Sequence, residues 1–168
     1  MNRKIVSAAV CLVVLVLTGQ ALADNSIEPA EKLFAEQEYK KAISYLDKVT
    51  EENPSSLEGW FLMGKCYNAL GKEKKAVKAY TKAIEINPDH EEANFLLGMS
   101  YSLLEAHGNA IEAFKKVIEI NPENAQAHFS LGVSYDQIAR LTDAFEQYKI
   151  LRTLDPKLAE DLRSIIMD

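Results

Sequence analysis

The chain has 168 residues, of which 48% are hydrophobic and 26% are charged, and its formal net charge is −6. This length allows one ordinary globular domain, and this apolar content excludes a globally disordered chain. The acidic balance disfavours nucleic acid and anionic membrane surfaces as general partners.

Residues 1–23 have the pattern of a secretory signal peptide. A short basic region with Arg3 and Lys4 precedes the apolar run 5–17, and residues 21–23 read Ala-Leu-Ala, a small-x-small cleavage site. A membrane-spanning helix needs about 20 apolar residues, so cleavage is favoured and an uncleaved membrane tether is the alternative. We expect export to the periplasm or the exterior of a bacterium, without stable membrane insertion after cleavage. Removing 1–23 takes away two positive charges and no negative ones, which moves the net charge from −6 to −8.

Three segments downstream repeat one pattern at a spacing of 34 residues. They are residues 60–67, 94–101 and 128–135, and each has a glycine at its fifth position and a tyrosine at its eighth. An alanine, an aromatic residue and a proline follow at constant offsets in each repeat: Ala76, Ala110 and Ala144; Tyr80, Phe114 and Tyr148; Pro88, Pro122 and Pro156. Self-similarity at this period indicates stacked supersecondary units. Ala42, Leu46 and Pro54 mark a further, degenerate unit without the glycine and the tyrosine.

Each unit is predicted to be a pair of helices. The apolar residues of the second half fall at helical spacing on one stripe, and the Asn-Pro or Asp-Pro pairs end each second helix because the residue before proline avoids helical geometry. The expected helices cover 27–36, 39–52, 56–70, 73–86, 91–104, 108–120, 125–139 and 141–154. A ninth helix after Pro156 has one apolar stripe and one polar face, as a cap on the open end of a solenoid requires.

The recurring glycines 64, 98 and 132 are unfavourable inside helices, so they need a packing reason. We expect them to face Ala76, Ala110 and Ala144 and to let the two helices of a unit approach closely.

Cys66 is the one cysteine left after signal cleavage, so no intramolecular disulfide can form. Its equivalents are Ser100 and Ser134, which favours a small buried side chain over a reactive thiol or an intermolecular bridge.

The repeat resembles the tetratricopeptide repeat, whose pattern is Trp-x-x-Leu-Gly-x-x-Tyr, then Ala-x-x-x-Phe, then Pro. Asn94 and His128 replace the tryptophan, Met63 replaces the leucine, and Tyr80 and Tyr148 replace the phenylalanine. The resemblance implies an all-α, right-handed superhelical solenoid of antiparallel helix pairs. Its domain would span 24–168, with a degenerate unit at 24–56, full units at 57–90, 91–124 and 125–158, and a cap at 157–168.

The sequence has no motif that predicts an enzyme. The histidines at 90, 107 and 128 lack metal-site spacing, and no Cys-x-x-Cys pair, phosphate-binding loop or Gly-x-Ser-x-Gly elbow occurs. The acidic run around His90 can be explained by a helix beginning there. We expect no catalytic residue, no cofactor and no metal.

By resemblance to the family, the first helices of successive units would line a concave groove that binds a partner segment. The residues at its contact positions are Phe61, Lys65, Asn68, Phe95, Met99, Ser102, Phe129, Val133 and Asp136. Phe61, Phe95 and Phe129 share one unit position and would form an apolar ladder, either for a partner helix or extended segment or as packing between repeats. A phenylalanine there, with acidic neighbours, argues against capture of a C-terminal carboxylate.

The function predicted from the sequence is therefore protein binding by an exported adaptor, with a protein or peptide as partner. A self-assembling structural solenoid is the alternative, since the degenerate first unit could stack on another copy. Five lysines, at 72, 74, 75, 78 and 82, cluster along one helix. They are either a solvated face or a docking surface for an acidic partner on the convex side.

Overall fold

The computed structural model describes residues 26–167, so the expected signal peptide lies outside the described residues. Within 26–167 the chain forms nine α-helices and no strand. Every expected helix is present, and all begin and end within three residues of the expected positions. The helices are α1 (Glu28–Ala35), α2 (Tyr39–Glu52), α3 (Leu57–Ala69), α4 (Glu73–Ile86), α5 (Glu91–Leu103), α6 (His107–Ile120), α7 (Ala125–Asp136), α8 (Leu141–Leu154) and α9 (Pro156–Met167).

The helices stack as a solenoid of antiparallel pairs. Each helix packs on the helices before and after it in the chain, and the main additional contact joins α9 to α7. Contacts limited to neighbouring units are typical of repeat proteins, in which each unit covers the apolar face of the previous one. The first helices of the units are α1, α3, α5 and α7, and the second helices are α2, α4, α6 and α8.

Side-chain caps fix the start of three first helices, α3, α5 and α7. Ser56 Oγ accepts a hydrogen bond from the backbone N–H of Gly59, and Asn124 Oδ1 accepts one from Ala127. His90 does the same with Nδ1, which lies 3.1 Å from the nitrogen of Ala93. These bonds satisfy backbone donors that a helix N-terminus leaves without partners. The acidic run around His90 is therefore the start of a helix, as the sequence suggested.

The turn between the two helices of each unit contains one residue with left-handed backbone geometry. These residues recur every 34 positions: Gln37 (φ 61°), Gly71 (φ 64°), Glu105 (φ 57°) and Ala139 (φ 57°). Only glycine adopts this geometry without a steric cost. The last turn also explains why α7 ends at Asp136, three residues before the expected end at Ala139.

The recurring glycines face aromatic rings, which corrects the expectation that they pair with the alanines. A Cβ atom added at Gly64 would lie 2.4 Å from the ring of Tyr80, and one added at Gly98 would lie 2.6 Å from Phe114. The glycine thus makes room for the large side chain one turn beyond each alanine. At Gly132 the nearest group is Leu162 of α9, at 2.5 Å, so the capping helix supplies the apolar group there.

The tryptophan position of each repeat makes the same hydrogen bond with three different side chains. Trp60 Nε1 donates to the carbonyl oxygen of Pro54, Asn94 Nδ2 to that of Pro88, and His128 Nε2 to that of Pro122, each across 3.0 Å. The bond ties each first helix to the turn that precedes it.

The buried core extends from α1 to α9 as four clusters, and half-buried side chains such as Tyr67 and Tyr101 pack against two of them at once. Cys66, Tyr80 and Phe114 are fully buried. Burial raises the pKa of the Cys66 thiol to about 11, as expected when the charged form is desolvated. The cysteine therefore acts as a small apolar residue, which agrees with the serines at the equivalent positions.

Candidate functional site

The expected groove residues all lie on the first helices, three on each of α3, α5 and α7. Met99 is 38% exposed, and the other eight are half-buried. The structure therefore gives none of them a purely internal position. Their surroundings nevertheless differ along the solenoid.

Phe61 is packed between units. Its ring centroid lies 4.7 Å from that of His90, which caps the start of α5 in the next unit, and 6.1 Å from that of Tyr80 in its own second helix. Because Tyr80 is fully buried, much of the Phe61 ring serves packing. Of the two roles expected for the three phenylalanines, the surroundings of Phe61 favour packing between repeats over an open contact surface.

Lys65 connects the first three units across the groove face. Its ammonium lies 5.6 Å from the ring centroid of Phe34 and 5.2 Å from that of Phe61, and it forms an ion pair of 3.7 Å with Glu92. Cation–π contacts at such distances are favourable, but exposed pairs contribute little stability. A charged partner group could therefore displace the pair at small cost.

Both polar atoms of the Asn68 side chain are engaged within the protein. Its Nδ2 donates to the hydroxyl of Tyr80 across 3.2 Å, and its Oδ1 accepts from Ser100 Oγ across 3.1 Å. Burial raises the pKa of Tyr80, so this phenol stays protonated. The arrangement ties the second unit to the third.

Phe95 lines a small acidic cavity of about 250 Å³ together with Glu91, Glu92 and Asn124. The Glu91 carboxylate is held in place, because its Oε1 accepts hydrogen bonds from Asn121 at 3.0 Å and Asn124 at 2.7 Å. The ring of Phe95 packs on Phe114 at a centroid distance of 5.7 Å. This cavity offers negative charge beside an aromatic edge.

A larger cavity, of about 320 Å³, lies between α5 and α7. Four of the expected residues line it, namely Met99, Ser102, Phe129 and Val133. Pockets of this size hold a side chain or a small ligand, and apolar walls favour an apolar occupant. The structure therefore brings the expected residues of the third and fourth units together around one opening.

Four residues outside the expected set also line this cavity: His107, Ser130, Ser134 and Gln137. Ser130 and Ser134 are one turn apart on α7, directly after Phe129 and Val133, and small residues there leave room for an opening. His107 begins α6 and reaches the cavity from the second helix of its unit. The family pattern places contacts on first helices, so it gave no signal for this histidine. The ninth expected residue, Asp136, lies at the end of α7 beside Gln137, whose Nε2 donates to it across 3.4 Å.

Among residues 26–167 no group of three or more His, Cys, Asp or Glu side chains could hold a metal ion. In the same range no helix has both the length and the apolar character needed to cross a membrane.

Two segments match family models. Residues 57–90, which contain α3 and α4, match the tetratricopeptide repeat, and residues 103–138, which contain α6 and α7, match the TPR repeat. These segments are tetratricopeptide repeats. No curated protein is significantly similar in sequence over the chain.

Solved tetratricopeptide-repeat structures share the fold at low sequence identity. A structure of the MamA protein has a TM-score of 0.73 and 24% identity, with 83% of this chain and 79% of that chain covered. MamA from Desulfovibrio magneticus RS-1 has a TM-score of 0.71 and 20% identity, with 82% and 89% covered. YrrB, described as a TPR protein with an unusual peptide-binding site, has a TM-score of 0.73 and 21% identity, with 83% and 74% covered. The all-α tetratricopeptide-repeat solenoid is thus the fold of this chain.

Proposed function

We propose that the protein is an adaptor that binds an extended segment of another protein along the face of α3, α5 and α7. The observation that carries this proposal is the cavity of about 320 Å³ between α5 and α7, whose walls include Met99, Phe129 and Val133. An exposed methionine beside an aromatic ring adapts well to an apolar side chain from a partner. The description of YrrB as a peptide-binding protein of the same fold supports the proposal.

The charge beside the cavity indicates which segment fits. Glu91 and Glu92 lie at the acidic cavity, and Glu92 is seven residues before Met99 on the same helix. Seven helical residues span about 10 Å, which an extended chain covers in about three residues. The preferred segment therefore carries a lysine or arginine three residues from a bulky apolar residue, with the basic group at Glu92 and the apolar group near Met99.

A photo-crosslinking amino acid in place of Ser102 tests the proposal in the native extract. Crosslinked partners should carry this basic and apolar pair at the attachment site. The same crosslinker at Ser44, an exposed position of the second helix α2, serves as the position control. Equal recovery of the same partners from both positions would contradict the groove.

Two nearly isosteric changes test the apolar wall without altering the helices. Met99→Gln combined with Val133→Thr makes the cavity polar, so crosslinking from Ser102 should fall at least fivefold. The matched control is Ile150→Gln combined with Ile86→Thr, because these side chains are 39% and 38% exposed and lie on second helices. Circular dichroism of both variants checks that the fold is kept.

The proposed adaptor is exported, as the signal-like residues 1–23 predict. N-terminal sequencing of the protein from a periplasmic fraction should show Asp24 as the first residue. Self-association is the alternative function, and large apolar side chains near the turns, such as Leu103 at 66% and Leu141 at 52% exposure, favour it. A single monomeric species in sedimentation across micromolar concentrations would exclude it.

A further inference from the structure

A third cavity, of about 560 Å³, lies on another side of α3. Its lining combines aromatic and aliphatic walls with a basic rim: Trp60, Met63, Tyr67, Lys75, Lys78 and Lys82. The three wall residues recur at i, i+3 and i+7 along α3, so they form one stripe. Each residue of this stripe comes one position before a residue of the stripe that contains Phe61 and Lys65. One position corresponds to a rotation of about 100° around the helix, so the two stripes face different directions. The cavity is therefore separate from the groove.

The helical hairpin does not require the lysines of the rim. Lys75, Lys78 and Lys82 lie on one face of α4, where like charges four residues apart weaken a helix slightly. The equivalent residues are Asn109, Glu112 and Lys116 in α6, and Asp143, Glu146 and Ile150 in α8. Each of these helices forms with fewer positive charges or none, so the basic rim is a property of this unit.

The wall is also larger in this unit than the repeat needs. Asn94 and His128 make the same bond to a proline carbonyl as Trp60 does, so the bond alone does not need an indole. The half-buried indole adds an aromatic surface to the cavity. An aromatic wall and a basic rim thus occur together in the second unit.

We propose that this cavity binds an acidic segment of a partner protein that carries one bulky apolar side chain. The apolar group would lie against Trp60 and Tyr67, and a carboxylate would lie at Lys78. Within residues 26–167 Lys78 makes no ion pair, whereas Lys82 pairs with the exposed Glu85 at 2.7 Å. A partner carboxylate can therefore bind Lys78 without displacing an existing pair, and it can compete with Glu85 for Lys82.

Asp47 limits where the carboxylate can lie. It lines the cavity from α2 and would repel an anion close to it. The acidic group must therefore lie on the α4 side of the opening. Removal of the Asp47 charge should tighten binding of an acidic segment, whereas it would weaken binding of a basic segment. The effect of removing the Asp47 charge therefore distinguishes an acidic partner segment from a basic one.

Trp60 is the one tryptophan of the chain, so its fluorescence reports directly on the cavity. The probe is the blocked peptide EEELEEE, with EEESEEE and KKKLKKK as controls for the apolar group and for the charge. EEELEEE should change the Trp60 emission and saturate, and both controls should bind at least tenfold more weakly. Its affinity should also fall as salt is raised, because exposed ion pairs are screened.

Matched charge reversals locate the binding. Lys78→Glu with Lys82→Glu should weaken EEELEEE at least tenfold. Lys72→Glu with Lys74→Glu makes the same change in net charge outside the cavity lining and should leave the affinity within twofold. Asp47→Asn should tighten it by twofold or more, which keeps the test decisive even if the double reversal perturbs α4.

Three results would overturn the inference: no Trp60 response up to millimolar peptide, equal losses in the two lysine pairs, or weaker binding in Asp47→Asn. The groove variant Met99→Gln with Val133→Thr should bind EEELEEE like the unaltered protein. The two proposals are therefore tested independently, and a negative result for either one does not contradict the other.

Discussion

The side-chain amide of Asn94 donates a hydrogen bond to the carbonyl oxygen of Pro88 across 3.0 Å, and the same amide also donates to the carbonyl of His90. Asn94 is 3% exposed, so its side-chain amide depends on these two bonds for partners. The bond fixes the first helix of the third unit against the turn that ends the second unit.

Asn94→Leu should destabilise the protein by about 1 kcal/mol, the usual net contribution of a hydrogen bond. Asn94→His should cost less, because His128 makes the equivalent bond in the next unit. Urea unfolding followed by far-ultraviolet circular dichroism measures both. Equal losses in the two variants would mean that side-chain shape, and not the hydrogen bond, matters at this position.

Gly98→Ala tests the contact between a glycine and an aromatic ring. The added Cβ would lie 2.6 Å from the Phe114 ring, so we expect a loss of about 1 to 3 kcal/mol despite the better helix propensity of alanine. Gly108→Ala is the control, since its Cβ would meet nothing within 4 Å, and it should not destabilise. Combining Gly98→Ala with Phe114→Leu should cost less than the sum of the two single changes if the ring is the cause.

Ala139→Gly should stabilise the protein by about 1 kcal/mol, because Ala139 has φ 57° and alanine is strained in left-handed geometry. Gly71→Ala, the reverse change at the equivalent turn, should destabilise it by a similar amount. Nothing lies within 4 Å of a Cβ at Gly71, so no steric clash with neighbours contributes and the comparison measures backbone strain. Thermal unfolding of both variants provides the measurement, and changes of the same sign would contradict the explanation.

Cys66 should make stability depend on alkaline pH. Burial raises the pKa of this thiol from its ordinary value to about 11, so the unfolded state loses the proton first. The thiol contribution is therefore fully present below about pH 9 and is lost as pH rises through 11. Cys66→Ser should reduce the fall in unfolding free energy between pH 9 and 11 by about 2 kcal/mol. Identical pH profiles of the two proteins would show that Cys66 is not linked to unfolding.

Much of this fold could be predicted because its signals are local. The Asn-Pro pairs and the capping residues Ser56 and Asn124 mark helix limits within the chain itself, and the period of 34 aligns every unit. The side chain that packs against each recurring glycine could not be predicted from the sequence. The alanine and the aromatic residue of the second helix lie one turn apart on the same stripe, so either could face the glycine. Only the structure distinguishes them.

The lining of the cavity between α5 and α7 was less accessible to prediction for a similar reason, and the groove itself stays a prediction. Family positions located Met99, Ser102, Phe129 and Val133, which line one cavity, yet they also gave equal weight to Phe61, Phe95 and Phe129. The three rings differ because each depends on the side chain that lies beside it where the next unit begins, such as His90 at the start of α5 beside Phe61. Such contacts depend on the stacking of units and are not visible in a single repeat.

The position of Leu162 against Gly132 has a consequence for control of binding. Phe129 and Val133 pack with Leu151 and Leu162 in one cluster, so the helix that ends the solenoid also supports the cavity proposed for the partner. Docking of α9 and filling of that cavity are then coupled equilibria, and coupling is reciprocal. A bound partner would slow the fraying of the C-terminal helix, and an event that lifts this helix would release the partner.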